Sequence, residues 1–154
     1  MNNQRGVTLV ELLVTITIMG IISAPIFMLV NNTLQVHKET SIRNQLQHEA
    51  RFITQYMSEK VRDGAKIERA GDTWILRKDT NGKTEIFIRY NDSLKTAFFK
   101  DSATVLSSNI LEFTVDDDTE SNKMDVRLSL QNQGQTFTTN TTIFNQSRYS
   151  GMEN

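Results

Sequence analysis

The sequence predicts an α+β protein, with a long N-terminal helix leading into an antiparallel β-rich head. Three observations carry that prediction. Residues 7–30 form an apolar run broken by a single formal charge. Residues 42–61 repeat their apolar positions every three or four places. Beyond Gly71 the pattern switches to alternation, punctuated by turn-forming glycines.

The apolar run comes first. Val7 to Val30 reads VTLVELLVTITIMGIISAPIFMLV, and Glu11 is its only charged residue. As a helix it spans about 36 Å, enough to cross a hydrocarbon core of about 30 Å. MNNQRG precedes it, with Arg5 as the only charged side chain there. Arg5 favours holding the leader in the cytoplasm and sending the C-terminus out. An ordinary secretory signal fits poorly, because its apolar region is shorter and ends at a small-residue cleavage site. Ser23-Ala24-Pro25 supplies small residues, but Pro25 sits awkwardly beside such a bond.

Glu11 has two readings from the residues alone. A carboxylate inside a membrane span is a functional-site hypothesis by default. Thr8 and Glu11 also fit a capping box, with Thr8 as N-cap and Glu11 at N3, where a negative charge suits the helix dipole.

Arg5-Gly6 followed directly by Val7-Thr8-Leu9-Val10-Glu11-Leu12-Leu13-Val14 resembles the processing signature of type IV prepilins and pseudopilins. That pattern is a short basic leader ending in glycine, then an apolar residue, Thr-Leu, and glutamate as the fifth residue of the mature chain. Val7 departs from it, since the family usually has phenylalanine there. The resemblance covers roughly the first thirty residues. It implies cleavage between Gly6 and Val7 by a prepilin peptidase, followed by methylation of the new Val7 amine. It implies that Glu11 faces the amine of a neighbouring subunit and sets register, an opposite charge being what a carboxylate in low dielectric needs. Removing Arg5 would take the formal net charge from −1 to −2. Pro25, with Gly20 nearby, predicts a kink near residues 21–25, because proline lacks a backbone donor and crowds the preceding turn. Family members often carry a proline in this part of the stem.

The helix is expected to continue as an amphipathic half over residues 31–63. Ile42, Leu46, Ala50, Ile53, Met57 and Val61 form one stripe, read as the surface on which a sheet packs. Gly64 is the expected stop, with Lys60 and Arg62 in the last turn. His37 and His48 read as solvated or structural histidines.

The head is expected over residues 64–154. Thr73–Lys78 and Thr84–Tyr90 flank Asn81-Gly82, a tight-hairpin signal. Ile86, Ile88 and Tyr90 are expected on one face, with Phe87 and Arg89 opposite. Leu94–Lys100 and Ile110–Val115 are further strands. Lys123–Leu130 alternates, with Met124, Val126, Leu128 and Leu130 on one side. A turn around Gly134 leads into a threonine-rich strand over Gln135–Phe144, and a loose tail is expected from about Tyr149. Trp74, Phe87, Tyr90, Phe98, Phe99 and Phe113 read as core. A helix followed by an antiparallel sheet also matches the pilin architecture that the leader implies.

Composition narrows the function. A formal net charge of −1 offers no basic face for nucleic acid. No cysteine is present, which removes disulfides, thiolate metal sites and thiol nucleophiles. There is no HExxH, GxSxG or P-loop, so no enzyme is expected. Asp116, Asp117, Asp118 and Glu120 are hard oxygen ligands at short spacing and a calcium candidate, although the run lacks an EF-hand's glycine and late glutamate. A solvated turn between strands is the preferred reading, with no cofactor expected.

The function these readings imply is a structural subunit of a type IV pilus-like fibre, serving type II secretion, competence DNA uptake or a pilus. Its expected place is the bacterial cytoplasmic membrane, single-pass with the head outside, and then the fibre. Expected partners are the prepilin peptidase, other pilin or pseudopilin subunits, an assembly platform membrane protein and, indirectly, a cytoplasmic ATPase. The segment from Ile110-Leu111-Glu112-Phe113 through Asp125-Val126-Arg127-Leu128 to Ser147-Arg148 is similar to J-type and PilW-like minor subunits and to competence minor pilins of Gram-positive bacteria. That implies a place at or near the fibre tip and a part in initiating assembly. The alternatives are a signal-anchored exported binding module that never polymerises and a major pilin; a membrane-tethered enzyme has only the acidic run behind it.

Overall fold

The computed structural model describes residues 8–100, 104–118 and 121–145. The chain divides into two compact units, Met1–Ser41 and Ile42–Asn154. One helix, α1 (Leu9–Arg62), contributes to both. In the first unit its apolar side chains lie exposed, Leu9, Ile21 and Leu29 among them. In the second unit Leu46, Ala50, Ile53, Met57 and Val61 are buried and Ile42 partly so, which is the stripe the periodicity predicts.

The end of α1 follows from Gly64. Its φ of 93° is a left-handed value that glycine adopts without strain. Gly64 donates its N–H to the Val61 carbonyl at 3.0 Å, and Ala65 donates to the Lys60 carbonyl at 2.9 Å. Those two bonds form a Schellman cap and satisfy carbonyls the helix leaves open. Lys60 and Arg62 complement the negative end of the helix dipole.

Among the described residues eight strands follow, arranged as two antiparallel sheets that make up the β-rich head the sequence predicts. The first sheet holds β1 (Lys66–Ala70), β2 (Thr73–Thr80), β3 (Lys83–Asn91), β4 (Thr96–Phe99) and β5 (Thr104–Ser107), in that order. The second holds β6 (Ile110–Asp118), β7 (Lys123–Asn132) and β8 (Gln135–Phe144). The chain changes sheets at Asn109. Its N–H bonds the Ser107 hydroxyl, its carbonyl accepts from Gln131 N–H at 2.7 Å, and its amide donates to Glu49 on α1 at 3.3 Å. Asn109 therefore delivers β6 to β7 instead of back to β5.

β1 and β5 were not expected from the sequence. Each is short and sits at a sheet edge, and neither shows a run of alternating burial. Asn81 (φ 51°) and Gly82 (φ 76°) make the predicted hairpin turn, with Thr80 opposite Lys83. Both central residues need positive φ, which explains Asn-Gly.

One expected face assignment is corrected. Leu76 pairs with Ile88 while Arg77 pairs with Ile86, so Phe87 is an extra residue in β3. Such a bulge reverses the alternation. Phe87 is buried beside Ile88, and Ile86 falls on the opposite face. Phe98 and Phe99, read as core, are only half-buried; Phe99 meets Tyr56 of α1 at 5.0 Å between ring centroids.

The core lies between α1 and the inner faces of both sheets. Met124, Val126, Leu128 and Leu130 of β7 point into it as the alternation predicts. Trp74, Tyr90 and Phe113 bridge the sheets, with Trp74 and Phe113 edge to face at 4.7 Å and Tyr90 and Phe113 at 5.3 Å. The Trp74 indole donates to the Phe113 carbonyl at 3.4 Å, and the Arg69 guanidinium donates to the Val115 carbonyl.

Two tests follow from this packing. Leu128 is fully buried, so Leu128→Ala should lower unfolding stability by about 2–5 kcal/mol. Exposed Thr136→Ala should change it by less than about 0.5 kcal/mol; denaturant melts distinguish the two. The second test concerns Tyr90, whose hydroxyl donates to Asp92 at 2.8 Å. Burial, then that bond, pushes the Tyr90 phenol above its ordinary value near 10. A folded pKa above the unfolded one gives stability that is whole below pH 10 and falls as pH rises beyond it. The stability gap between the wild type and Tyr90→Phe should narrow above pH 10.

Candidate functional site on the N-terminal helix

Thr8 opens the helix. Its hydroxyl oxygen accepts the Glu11 N–H at 3.3 Å, the N-cap half of a capping box. Glu11 therefore sits in the first turn, where the helix dipole favours an anion. Its side chain is exposed, and among the described residues no cation contacts it. Gly6 and Val7, the expected cleavage and methylation residues, lie outside the described residues.

The helix beyond Glu11 is built for a solvent other than water. It is long and apolar enough to cross a membrane, and its apolar window is unburied within the chain. Between Glu11 and Thr33 each hydroxyl along it has an internal partner. Thr15 donates to the Glu11 carbonyl at 2.5 Å, Thr17 to Leu13 at 2.8 Å, Ser23 to Met19 at 2.6 Å and Thr33 to Leu29 at 2.7 Å. Such bonds one turn back leave no hydroxyl proton unsatisfied in hydrocarbon. Glu11 is the exception, at about 2.5–3.5 kcal/mol near a bilayer centre and less near an end.

Pro25 lies inside α1, which continues through it without interruption. Proline has no N–H, so the Ile21 carbonyl lacks its usual helical donor. Gly20 has nothing near the position a Cβ would take, so it serves no close approach within the chain.

The other sequence candidates are scattered. His37 and His48 are exposed. Asp116, Asp117 and Asp118 belong to β6 instead of forming a turn, and Glu120 lies outside the described residues. Because strand side chains alternate, Asp117 points away from its two neighbours. Asp118 is engaged by Ser121, which donates its hydroxyl at 2.5 Å and its N–H at 3.3 Å. No grouping of three or more His, Asp or Glu suited to a metal occurs among the described residues. The sequence reading overlooked the Asp116–Asp125 pair, opposed across β6 and β7, with the Thr142 hydroxyl donating to Asp125 at 2.5 Å. Only the strand register brings those carboxylates together, and no local motif announces it.

Residues 1–27 match the family model described as the prokaryotic N-terminal methylation motif, the type IV prepilin signature. No curated protein and no solved structure matches the chain. The signature thus confirms the resemblance carried by Arg5 to Val14 and covers the helix start where Glu11 lies.

The split of the three aspartates between faces has a measurable consequence. Millimolar calcium should leave the melting temperature unchanged. A rise of several degrees that Asp118→Asn abolishes would assign the run to the ion.

Proposed function

We propose that this chain, a type IV pilin-like subunit by its N-terminal signature, is a minor structural subunit that works at or near the tip of a pilus-like fibre and helps initiate its assembly. The single observation that carries the reading is the pairing of the prepilin signature with an apolar helix that has one unpaired carboxylate in its first turn. In a membrane the exposed leucines, isoleucines and valines of that helix are solvated by lipid. In a fibre they are solvated by the same face of neighbouring helices. Transfer from one to the other changes the apolar environment little, so it needs no large driving force from burial.

Glu11 supplies what apolar packing does not. Leucine and isoleucine surfaces slide past one another at low cost, whereas a charge pair in low dielectric has one best register. The partner cation is the Val7 amine that peptidase cleavage creates on a neighbouring subunit. Cleavage is therefore both the removal of a polar leader and the making of an ion-pair partner. The tip assignment is supported by the likeness of Ile110–Leu128 to minor subunits. The chain acts by assembly, with no catalytic step of its own.

Intact mass from the native membrane tests the first step. Loss of Met1–Gly6 and gain of a methyl on Val7, only when the prepilin peptidase is present, is the expected result. An unchanged mass in both strains would reduce α1 to a plain anchor. For the second step, Glu11→Ala should insert in the membrane at wild-type level while its recovery in sheared fibres drops at least tenfold. Undiminished recovery would remove Glu11 from the assembly mechanism.

A further inference from the structure

The edges of the two sheets are not treated alike. An open strand edge presents unpaired N–H and C=O groups and is normally blunted by charge, shortness, proline, a bulge or a cover. β1 carries Lys66, Glu68 and Arg69 in five residues. β5 is four residues long. On β6, the Phe113 and Val115 carbonyls are taken by the Trp74 indole and the Arg69 guanidinium. β8 has none of these devices. It runs ten residues, QTFTTNTTIF, without a charge or a proline, and its register with β7 is unbroken. Among the described residues nothing pairs with its outer edge.

The outward groups can be identified. Asn145 donates its N–H to the Asn122 carbonyl at 2.9 Å, in register with the β7–β8 ladder. Antiparallel alternation from that pair turns the N–H and C=O of Thr136, Thr138, Asn140, Thr142 and Phe144 away from β7. Asn140 is the middle one of these residues.

We infer that β8 is a self-pairing edge, on which a second copy of this chain adds its own β8 antiparallel about Asn140. In that register Asn140 meets Asn140 of the other copy, Thr138 meets Thr142, and Thr136 meets Phe144. Every outward backbone group then has a partner. On the inner face Thr139 meets Thr141 and Phe137 meets Ile143, so threonines pair with threonines and the two apolar residues with each other. The sum of paired positions is even, so the inner faces of both copies lie on the same side. The result is one continuous six-stranded sheet with a two-fold axis. A neutral strand has no like charge to oppose the approach of its copy. The contact does not require fibre assembly, so it stands apart from the function proposed above.

Single cysteines test the register, because the natural chain has none. The full-length protein is placed in membranes of a host without pilin-like proteins and oxidised. Paired Cα atoms about 5.5 Å apart suit a disulfide, so Asn140→Cys should give a band of twice the mass. Thr136→Cys or Phe144→Cys alone should not, since each lies roughly 25 Å from its own copy in this register. Thr136→Cys and Phe144→Cys co-expressed should link to each other. Thr138→Lys added to Asn140→Cys should cut the band at least tenfold. Three results would overturn the inference: no band from either Asn140→Cys or the co-expressed pair, bands of equal strength at all three single positions, or Asn140→Cys linking to a different protein.

Discussion

One stripe on one helix holds the head together. Leu46, Ala50, Ile53, Met57 and Val61 join one buried cluster with the inner faces of two sheets that, among the described residues, share no backbone hydrogen-bonded ladder. Each sheet has an apolar inner face that cannot remain in water, and α1 offers both faces a common surface. The same helix carries leucine, isoleucine and valine through its first unit with no such cover. Helix propensity does not distinguish the two stretches. What surrounds them does: the second packs into the core of the head, and the first is unburied within the chain.

Between Glu11 and Thr33 the first stretch satisfies its hydroxyls internally. Its hydroxyls bond back to carbonyls one turn earlier, so threonine and serine are tolerated there. The Glu11 N–H is engaged by Thr8 and its carbonyl by Thr15, while among the described residues no cation contacts its carboxylate. The capping and functional readings of Glu11 therefore coexist. The cap accounts for where the residue stands in the helix, and it leaves the carboxylate available for the intermolecular role proposed for it. Pro25 adds an open carbonyl at Ile21 on the same stretch, a second place where the helix is less than fully bonded.

Much of the architecture was legible because burial imposes periodicity. The α1 stripe, the inward face of β7 and the Asn81-Gly82 turn were all readable, since each needs particular residues at fixed spacing. β1 and β5 were not, because edge strands bury little and have no face to alternate. The division into two sheets was hidden in Asn109, two of whose three hydrogen bonds reach residues distant in sequence, Glu49 and Gln131. The Phe87 bulge likewise follows from pairing with β2, which local alternation does not encode. At the candidate site, Glu11 stood out as one charge in an apolar run, and the leader made the expectation for it specific. The acidic run misled as a turn because charge density resembles a loop, while β6 accommodates it at an exposed strand end.

The side chains that cover β6 belong to β1 and β2, and this sets an order in time. A chain made from its N-terminus completes Arg69 and Trp74 some forty residues before Phe113 and Val115. The cover thus exists before the edge it covers, so β6 can be sealed as soon as it emerges. β8 is the last of the described strands to emerge, when β1 to β7 are already available as a template. A fragment beginning after Trp74 would present β6 bare to any passing strand, making the early hairpin a chaperone for the later sheet within one chain.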